Sequence, residues 1–190
     1  MKKNKNYIPK NAKLVFKWKV YETWQWEQKM YDGTNKIFEK VKKSNTVTII
    51  AIVNNEIIIQ EQEQPHRDLF ISLPGWKCEK NETPLEAARR ELLEETWYIS
   101  NDIKLWKKIP SLYSSLLRES YYYIAKDCKK IQWLNLDNGE KINNNFIRYD
   151  NFLLLSENKN FRDIELVLEL LRIRLSSNLN NSFKKQLFDK

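Results

Sequence analysis

Residues 73–98 read LPGWKCEKNETPLEAARRELLEETWY, a stretch that predicts one helix and the loop leading into it. Thr83 is expected to cap the start of the helix, because Thr83 and Glu86 form the T-x-x-E pattern of a capping box. Pro84 suits the first helical position, where its missing amide hydrogen is not needed. Apolar residues then recur at helical spacing, and we expect the helix to run to about Thr96.

This helix carries three closely spaced glutamates, Glu91, Glu94 and Glu95. Residues i and i+4 of a helix share a face, and i+3 lies beside them, so the three carboxylates are neighbours. Ala88 and Leu92 mark the buried stripe, which places the glutamates at the margin of the core. Like charges at this spacing cost roughly a few tenths of a kcal/mol per pair, and a divalent cation such as Mg²⁺ reverses that effect. The pattern therefore predicts a metal site, with a merely solvated glutamate-rich surface as the alternative.

The whole stretch resembles the Nudix box, whose pattern is Gly, five residues, Glu, seven residues, then Arg-Glu-aliphatic-any-Glu-Glu-any-Gly-aliphatic. The residues in register with this pattern are Glu82, Arg90, Glu91, Leu92, Glu94 and Glu95. The flanking sequence is similar to the branch of the family that cleaves ADP-ribose and related nucleoside diphosphate sugars. That similarity rests on Leu73-Pro74-Gly75, on the Ala87-Ala88 pair and on an extended N-terminal region with an Asp32-Gly33 turn.

The resemblance implies an α/β fold, a Nudix-type α/β/α sandwich with a mixed sheet, over residues 44–190. It also implies an N-terminal antiparallel β region, residues 1–43, that contributes to a homodimer and to the substrate pocket. The residues agree with this architecture, since apolar runs at 46–53 and 56–61 read as buried strands joined by a tight Asn54-Asn55 turn. Further along we expect strands at 69–73, 103–109, 119–125 and 146–149, a loop at 135–145, a helix at about 162–176 and a frayed lysine-rich end.

The resemblance also assigns metal ligands. Glu91 and Glu95 are expected to be the main ligands of Mg²⁺, with Mn²⁺ as an alternative, and Glu94 a further ligand with a catalytic role. The backbone carbonyl of Gly75 matches another coordinating position. Arg90 should pair with a box carboxylate and hold its orientation, and Glu82 should support the site across the loop.

Residues outside the box are expected to complete the site. The general base in this branch lies on a loop before the last strand, where Glu140 is the candidate, an exposed loop glutamate being the alternative. Arg67 and Gln64 stand where the family binds substrate, and Arg67 suits a diphosphate. Trp26 is a candidate for stacking on adenine, the alternative being a core or dimer-interface aromatic.

Two box positions that are glycine in the family hold tryptophan here, Trp76 and Trp97. The residue after a helix end often adopts the left-handed conformation, where Trp97 would cost roughly 1–2 kcal/mol. Trp76 would place an indole in the loop that approaches metal and phosphate. The chain has 3 glycines and 7 tryptophans, and Trp18 also stands where relatives tend to have glycine.

These departures lead to a hypothesis about translation. Some bacterial lineages read UGA as glycine whereas other codes read it as tryptophan, so several of these tryptophans are candidates for glycines translated with a different code. A UGG codon at position 76 or 97 would refute the idea for that position. If the tryptophans are real, the alternative is a strained or degenerate Nudix domain with weak or lost activity.

Composition limits the remaining classes. The net charge of +8 suits polyanionic partners, either nucleic acid or a small phosphate-bearing substrate. The lysines are spread along the chain and concentrate at its two tails, which argues against nucleic-acid binding. No apolar stretch approaches the roughly 18–20 residues of a membrane span, and no apolar segment of a signal peptide follows the basic N-terminus. Cys78 and Cys128 show neither metal spacing nor a disulfide framework, so we expect reduced thiols and a cytoplasmic protein.

The leading hypothesis is hydrolysis of the pyrophosphate of ADP-ribose to AMP and a sugar phosphate. A second hypothesis keeps the chemistry but changes the substrate to another nucleotide sugar or a dinucleotide polyphosphate. A third is a non-catalytic Nudix domain that binds nucleotide as a sensor. A fourth, a basic RNA-binding or decapping protein, predicts binding that weakens steeply with salt.

Overall fold

The computed structural model describes residues 7–64, 67–131 and 141–189, with Arg67 and Lys141 described for the backbone only. The strands in these ranges are β1 Lys13–Lys17, β2 Tyr21–Lys29, β3 Asn35–Lys43, β4 Thr46–Val53, β5 Glu56–Gln64, β6 Arg67–Ser72, β7 Tyr98–Ile99, β8 Asp102–Pro110, β9 Leu116–Leu117, β10 Glu119–Lys126, β11 Lys129–Lys130 and β12 Lys141–Ile147. The helices are α1 Pro84–Thr96, α2 Tyr149–Leu154 with a 3-10 turn at Leu155–Glu157, α3 Ile164–Arg174 and α4 Ser177–Phe188.

The first sheet has the strand order β1-β2-β3-β9. The predicted turn between β2 and β3 is present: Gly33 has a φ of 86°, and the amide of Thr34 donates to the carboxylate of Asp32 at 3.0 Å. Strands β1 to β3 pair antiparallel, as expected of the N-terminal region, whereas β9 pairs parallel with β3. Strand β9 follows β4 to β8 in the sequence, so this sheet combines the N-terminal strands with a later segment of the chain.

The central sheet is mixed, with the order β12-β5-β4-β10-β8 and β6 paired to β5. Strand β4 runs parallel to β10 and antiparallel to β5, and β10 runs antiparallel to β8. The turn between β4 and β5 is the predicted asparagine pair, whose φ values are 49° for Asn54 and 65° for Asn55. Strand β4 has the bounds expected from its apolar run.

Both faces of β4 are covered by helices. Val47, Ile49 and Ala51 point to one side, where they share an apolar cluster with Ala88 and Leu92 of α1. The alternate residues of β4 point to the other side and pack with α2, α3 and α4 in a second cluster. The strand period of two therefore distributes β4 between two cores, and the architecture is the expected α/β/α sandwich.

The structure corrects three local expectations. The lysine-rich end is helix α4 and not a frayed tail, because Phe183 and Leu187 are buried against the second cluster. Residues 141–145 belong to strand β12, whereas a loop was expected, and Tyr149 begins helix α2 where a strand was expected to end. Within the described ranges, no helix is long and apolar enough to cross a membrane.

Candidate active site

Helix α1 begins and ends where the sequence predicts. The amide of Glu86 donates to the Thr83 hydroxyl at 3.3 Å, and the amide of Thr83 donates to the Glu86 carboxylate at 2.8 Å. This reciprocal capping box satisfies two of the free amides of the first turn. Pro84 is the first helical residue, and Thr96 is the last. The start of the carboxylate-bearing helix is therefore fixed locally.

The guanidinium of Arg90 is the centre of the charged cluster on α1. Its Nε and Nη2 donate to the two carboxylate oxygens of Glu82 at 2.9 and 3.0 Å, which is a bidentate contact across the loop. Its Nη1 donates to Glu91 at 2.7 Å and to Glu94 at 3.0 Å. The pairing expected of Arg90 with a box carboxylate is present, and it extends to three of them.

The three helix glutamates differ in burial. Glu91 is buried, Glu95 is partly buried, and the side chain of Glu94 is 58% exposed. Burial raises the pKa of the Glu91 carboxyl, and the hydrogen bond from Arg90 offsets part of that rise. The margin position expected for the three glutamates therefore holds for Glu91 and Glu95, whereas Glu94 lies farther towards solvent.

The loop before α1 runs along the edge of β4. The carbonyls of Pro74 and Trp76 accept hydrogen bonds from Ile49 and Val47, both at 2.8 Å. Between them, Gly75 has a φ of +136°, and a Cβ there would lie 2.2 Å from the carbonyl oxygen of Val47. Only glycine fits this close approach.

Gly75 also contacts the end of α1. Its amide donates to Oε2 of Glu95 at 2.8 Å. The loop therefore places the backbone of Gly75 beside Glu95, the last glutamate of the helix. Gly75 and Glu95 are two of the residues expected to bind metal.

Two residues that sequence reasoning missed hold the backbone of Glu95. Nδ2 of Asn144 donates to the Glu95 carbonyl at 2.9 Å, and Nε2 of Gln60 donates to it at 3.5 Å. Gln60 is fully buried in β5, directly after the apolar run of residues 57–59. A glutamine at a core position of a strand was the available signal, because a buried amide needs partners.

The two tryptophans in glycine positions differ. Trp97 has φ 64° and ψ 24°, the left-handed conformation expected after the helix end, and its amide donates to Leu93 at 2.9 Å. Trp76 does not have a positive φ, and its side chain is exposed. The backbone argument for glycine therefore applies to Trp97, whereas the indole of Trp76 lies towards solvent.

The other expected site residues are Glu140, Arg67, Gln64 and Trp26. Glu140 lies outside the described residues, and the Arg67 side chain is not described. Gln64 ends β5 in register with Arg67 of β6. Trp26 is buried in β2, with its ring centroid 6.2 Å from that of Phe38. The stacking of Trp26 on adenine stays a prediction.

The donor set of the cluster suits a hard divalent cation. The carboxylates of Glu82, Glu91 and Glu94 surround the guanidinium of Arg90, and the carboxylate of Glu95 lies on the amide of Gly75. Carboxylate and carbonyl oxygens are the ligands that Mg²⁺ prefers. Among the described residues, no group of three His, Cys, Asp or Glu side chains is arranged to hold a metal ion, so the ligand set stays a prediction.

Comparison with known proteins identifies the family. The family model of the NUDIX domain matches residues 42–169. The methanol dehydrogenase activator of Bacillus methanolicus is 28% identical over 149 residues, 75% of this chain and 79% of that protein. The ADP-ribose pyrophosphatase of Bacillus subtilis (strain 168) is 28% identical over 103 residues, 53% of this chain and 54% of that protein.

The fold is shared with a solved structure. That structure, an ADP compounds hydrolase, matches with a TM-score of 0.71 at 21% identity, and the match covers 86% of this chain and 90% of that chain. Because the NUDIX model matches more than half of the 190 residues, this protein belongs to the Nudix family of hydrolases.

Proposed function

We propose that this Nudix hydrolase cleaves the pyrophosphate of ADP-ribose, or of a related nucleoside diphosphate sugar, in a reaction that depends on Mg²⁺. The products are a nucleoside monophosphate and a sugar phosphate. The observation that carries the proposal is the carboxylate cluster around Arg90, with Glu95 held on the amide of Gly75. The names of the Bacillus subtilis relative, an ADP-ribose pyrophosphatase, and of the solved ADP compounds hydrolase support the choice of substrate.

The proposed metal ligands are Glu91, Glu94, Glu95 and the carbonyl of Gly75. When bound, Mg²⁺ would neutralise the diphosphate and lower the pKa of an attacking water. Mn²⁺ is expected to substitute for it.

The protein's own groups prepare this site. Arg90 fixes the orientation of Glu91 and Glu94, and its bidentate contact with Glu82 anchors the guanidinium itself. The hydrogen bond from Arg90 also favours the ionised form of the buried Glu91 carboxyl, which a cation requires. Arg90 and Glu82 are therefore assigned supporting roles.

Further residues are proposed for the substrate. Glu140 is the proposed general base, and Arg67 and Gln64 are proposed to bind the diphosphate. The net charge of +8 favours encounter with such a polyanion. Exposed apolar residues of the N-terminal β region, among them Phe16, Trp18 and Ile37, support a homodimer formed through this region, and light scattering should give twice the chain mass.

The experiment is a panel of ADP-ribose and other nucleotide sugars, with products identified by chromatography. The parent chain, which has both tryptophans, is compared with the double variant Trp76→Gly and Trp97→Gly. Release of AMP from ADP-ribose by either version supports the proposal. If neither version cleaves any member of the panel but both bind nucleotide, the sensor hypothesis replaces it.

A further inference from the structure

We propose that Asn144 and Gln60 are positioning residues that hold Glu95 in place for metal binding, through the backbone carbonyl of Glu95. This inference rests on the proposed function, since it assigns the two side chains a task at the proposed metal site. Neither residue belongs to the box, and they come from β5 and β12, which are far from α1 in the sequence.

Glu95 lies in the last turn of α1, where carbonyls lack partners within the helix. The amides of Asn144 and Gln60 supply those partners at 2.9 and 3.5 Å. The carboxylate of the same residue is held by the amide of Gly75 at 2.8 Å. Glu95 is therefore fixed at its backbone and at its side chain by three separate segments.

The two amides belong to a hydrogen-bond network that crosses three strands. In register, Gln60 of β5 lies opposite Asn144 of β12 on one edge and Ser72 of β6 on the other. Nε2 of Gln60 donates to Oδ1 of Asn144 at 3.3 Å. Gln62 donates from Nε2 to Oε1 of Gln60 at 2.9 Å and to Ser72 at 3.0 Å. The donors and acceptors of these amides match one another, which fixes the orientation of each amide.

A network of this kind is expensive to maintain in the core. Gln60 is fully buried and Gln62 nearly so, and an unpaired buried amide costs about 1–3 kcal/mol in proteins. The apolar packing of Ala88 and Leu92 holds α1 on the sheet. Hydrogen bonds to one carbonyl at its end restrict the rotation of the last turn further, and that rotation affects where the Glu95 carboxylate points. Metal sites need their ligands held to within about 0.5 Å, which gives the network a function beyond stability.

The test measures metal binding without substrate or turnover. Asn144→Leu removes the donor at similar volume, and Asn143→Leu is the matched control, because Asn143 is its exposed neighbour on the same strand. Free Mn²⁺ is titrated by electron paramagnetic resonance. We expect Asn144→Leu to weaken Mn²⁺ binding about 10- to 100-fold, the range typical of residues that orient metal ligands, and Asn143→Leu to match the parent chain. Gln60→Met is also expected to weaken Mn²⁺ binding. It replaces Asn144→Leu in the test if that variant does not fold.

Two results would overturn the proposal. One is a parent chain that binds no Mn²⁺, since nothing is then positioned. The other is Mn²⁺ binding unchanged in Asn144→Leu while its melting temperature falls, which is the behaviour of a purely structural contact. If Asn144→Leu weakens Mn²⁺ binding but the parent cleaves no nucleotide, the positioning role stands and the proposed hydrolysis fails.

Discussion

The left-handed backbone at Trp97 makes it possible to test whether this position prefers glycine. A non-glycine residue at this φ of 64° is strained by about 1 kcal/mol. We therefore expect Trp97→Gly to have a higher free energy of unfolding than Trp97→Ala by about that amount, measured by urea denaturation. The alanine variant is the control, because it removes the same indole but keeps the Cβ. An alanine variant as stable as the glycine variant would show that the position has no preference for glycine.

Gly75 gives a second prediction, in which space rather than φ dominates. Gly75→Ala places a Cβ 2.2 Å from the Val47 carbonyl oxygen, so the loop or β4 must move. We expect a loss of about 3 kcal/mol or more in unfolding free energy. Gly33→Ala is the matched control, since it also has a positive φ but no heavy atom within 4 Å of the added Cβ. It should cost about 1 kcal/mol, and equal losses in the two variants would contradict the packing described for the loop.

The Glu82–Arg90 contact predicts a pH dependence. The hydrogen bond from Arg90 lowers the pKa of Glu82, so its contribution is complete above the ordinary pKa of a glutamate. It is lost as the pH falls through the lowered pKa of the folded state. We expect Glu82→Gln to be less stable than the parent chain at pH 7, and this gap to shrink at pH 3. Unfolding free energies measured across that range check this, and a gap that grows in acid would refute it.

The same residues show what the sequence reveals at this scale. The conformation of Trp97 was predictable, because the capping pattern and the apolar spacing fix the end of α1 before any tertiary contact is known. The exposure of Trp76 was not, because it depends on which side of the loop faces β4. The contact of Gln60 with Asn144 was equally hidden, since it depends on strand pairing between distant parts of the chain.

Among the elements, α4 makes the clearest prediction. Leu187 is 1% exposed and Leu179 is 50% exposed in the same helix. We expect Leu187→Ala to lower the unfolding free energy by about 2–4 kcal/mol, because it leaves a cavity in the second cluster. Leu179→Ala should cost less than about 1 kcal/mol. Thermal or urea unfolding of both variants tests whether this end of the chain is packed. Equal small losses of unfolding free energy would support the frayed end expected from the sequence.

The elements also separate what pattern predicts from what packing decides. Strand β4 was predictable with its bounds because its apolar residues serve both faces of the sheet. Helix α4 was not, since the polar run around Asn180 hides the two residues that anchor it, Phe183 and Leu187. Strand β12 was read partly as a loop, because three asparagines at 143–145 favour turns by composition, and only the pairing with β5 makes them a strand.

For the whole molecule, the sandwich explains why residues far apart in the chain meet. The loop before α1 lies on the edge of β4, and the end of α1 lies against β5 and β12. The box supplies the carboxylates, and the sheet supplies Gln60 and Asn144. The box alone therefore predicted the chemistry of the site, while the groups that hold Glu95 depend on the completed fold.

Glu95 is proposed to bind the Mg²⁺ on which pyrophosphate hydrolysis depends. The most direct measurement is the rate of AMP release from ADP-ribose, with and without Mg²⁺, for the parent chain, Glu95→Gln and Glu86→Gln. Glu86→Gln is the control because it lies on the same helix and glutamine still completes the capping box. We expect the parent and Glu86→Gln to release AMP only with Mg²⁺. Glu95→Gln should be slower by more than about 100-fold, beyond the range of residues that only orient ligands. Release without Mg²⁺, or equal rates for Glu95→Gln and Glu86→Gln, would contradict the proposed role of Glu95.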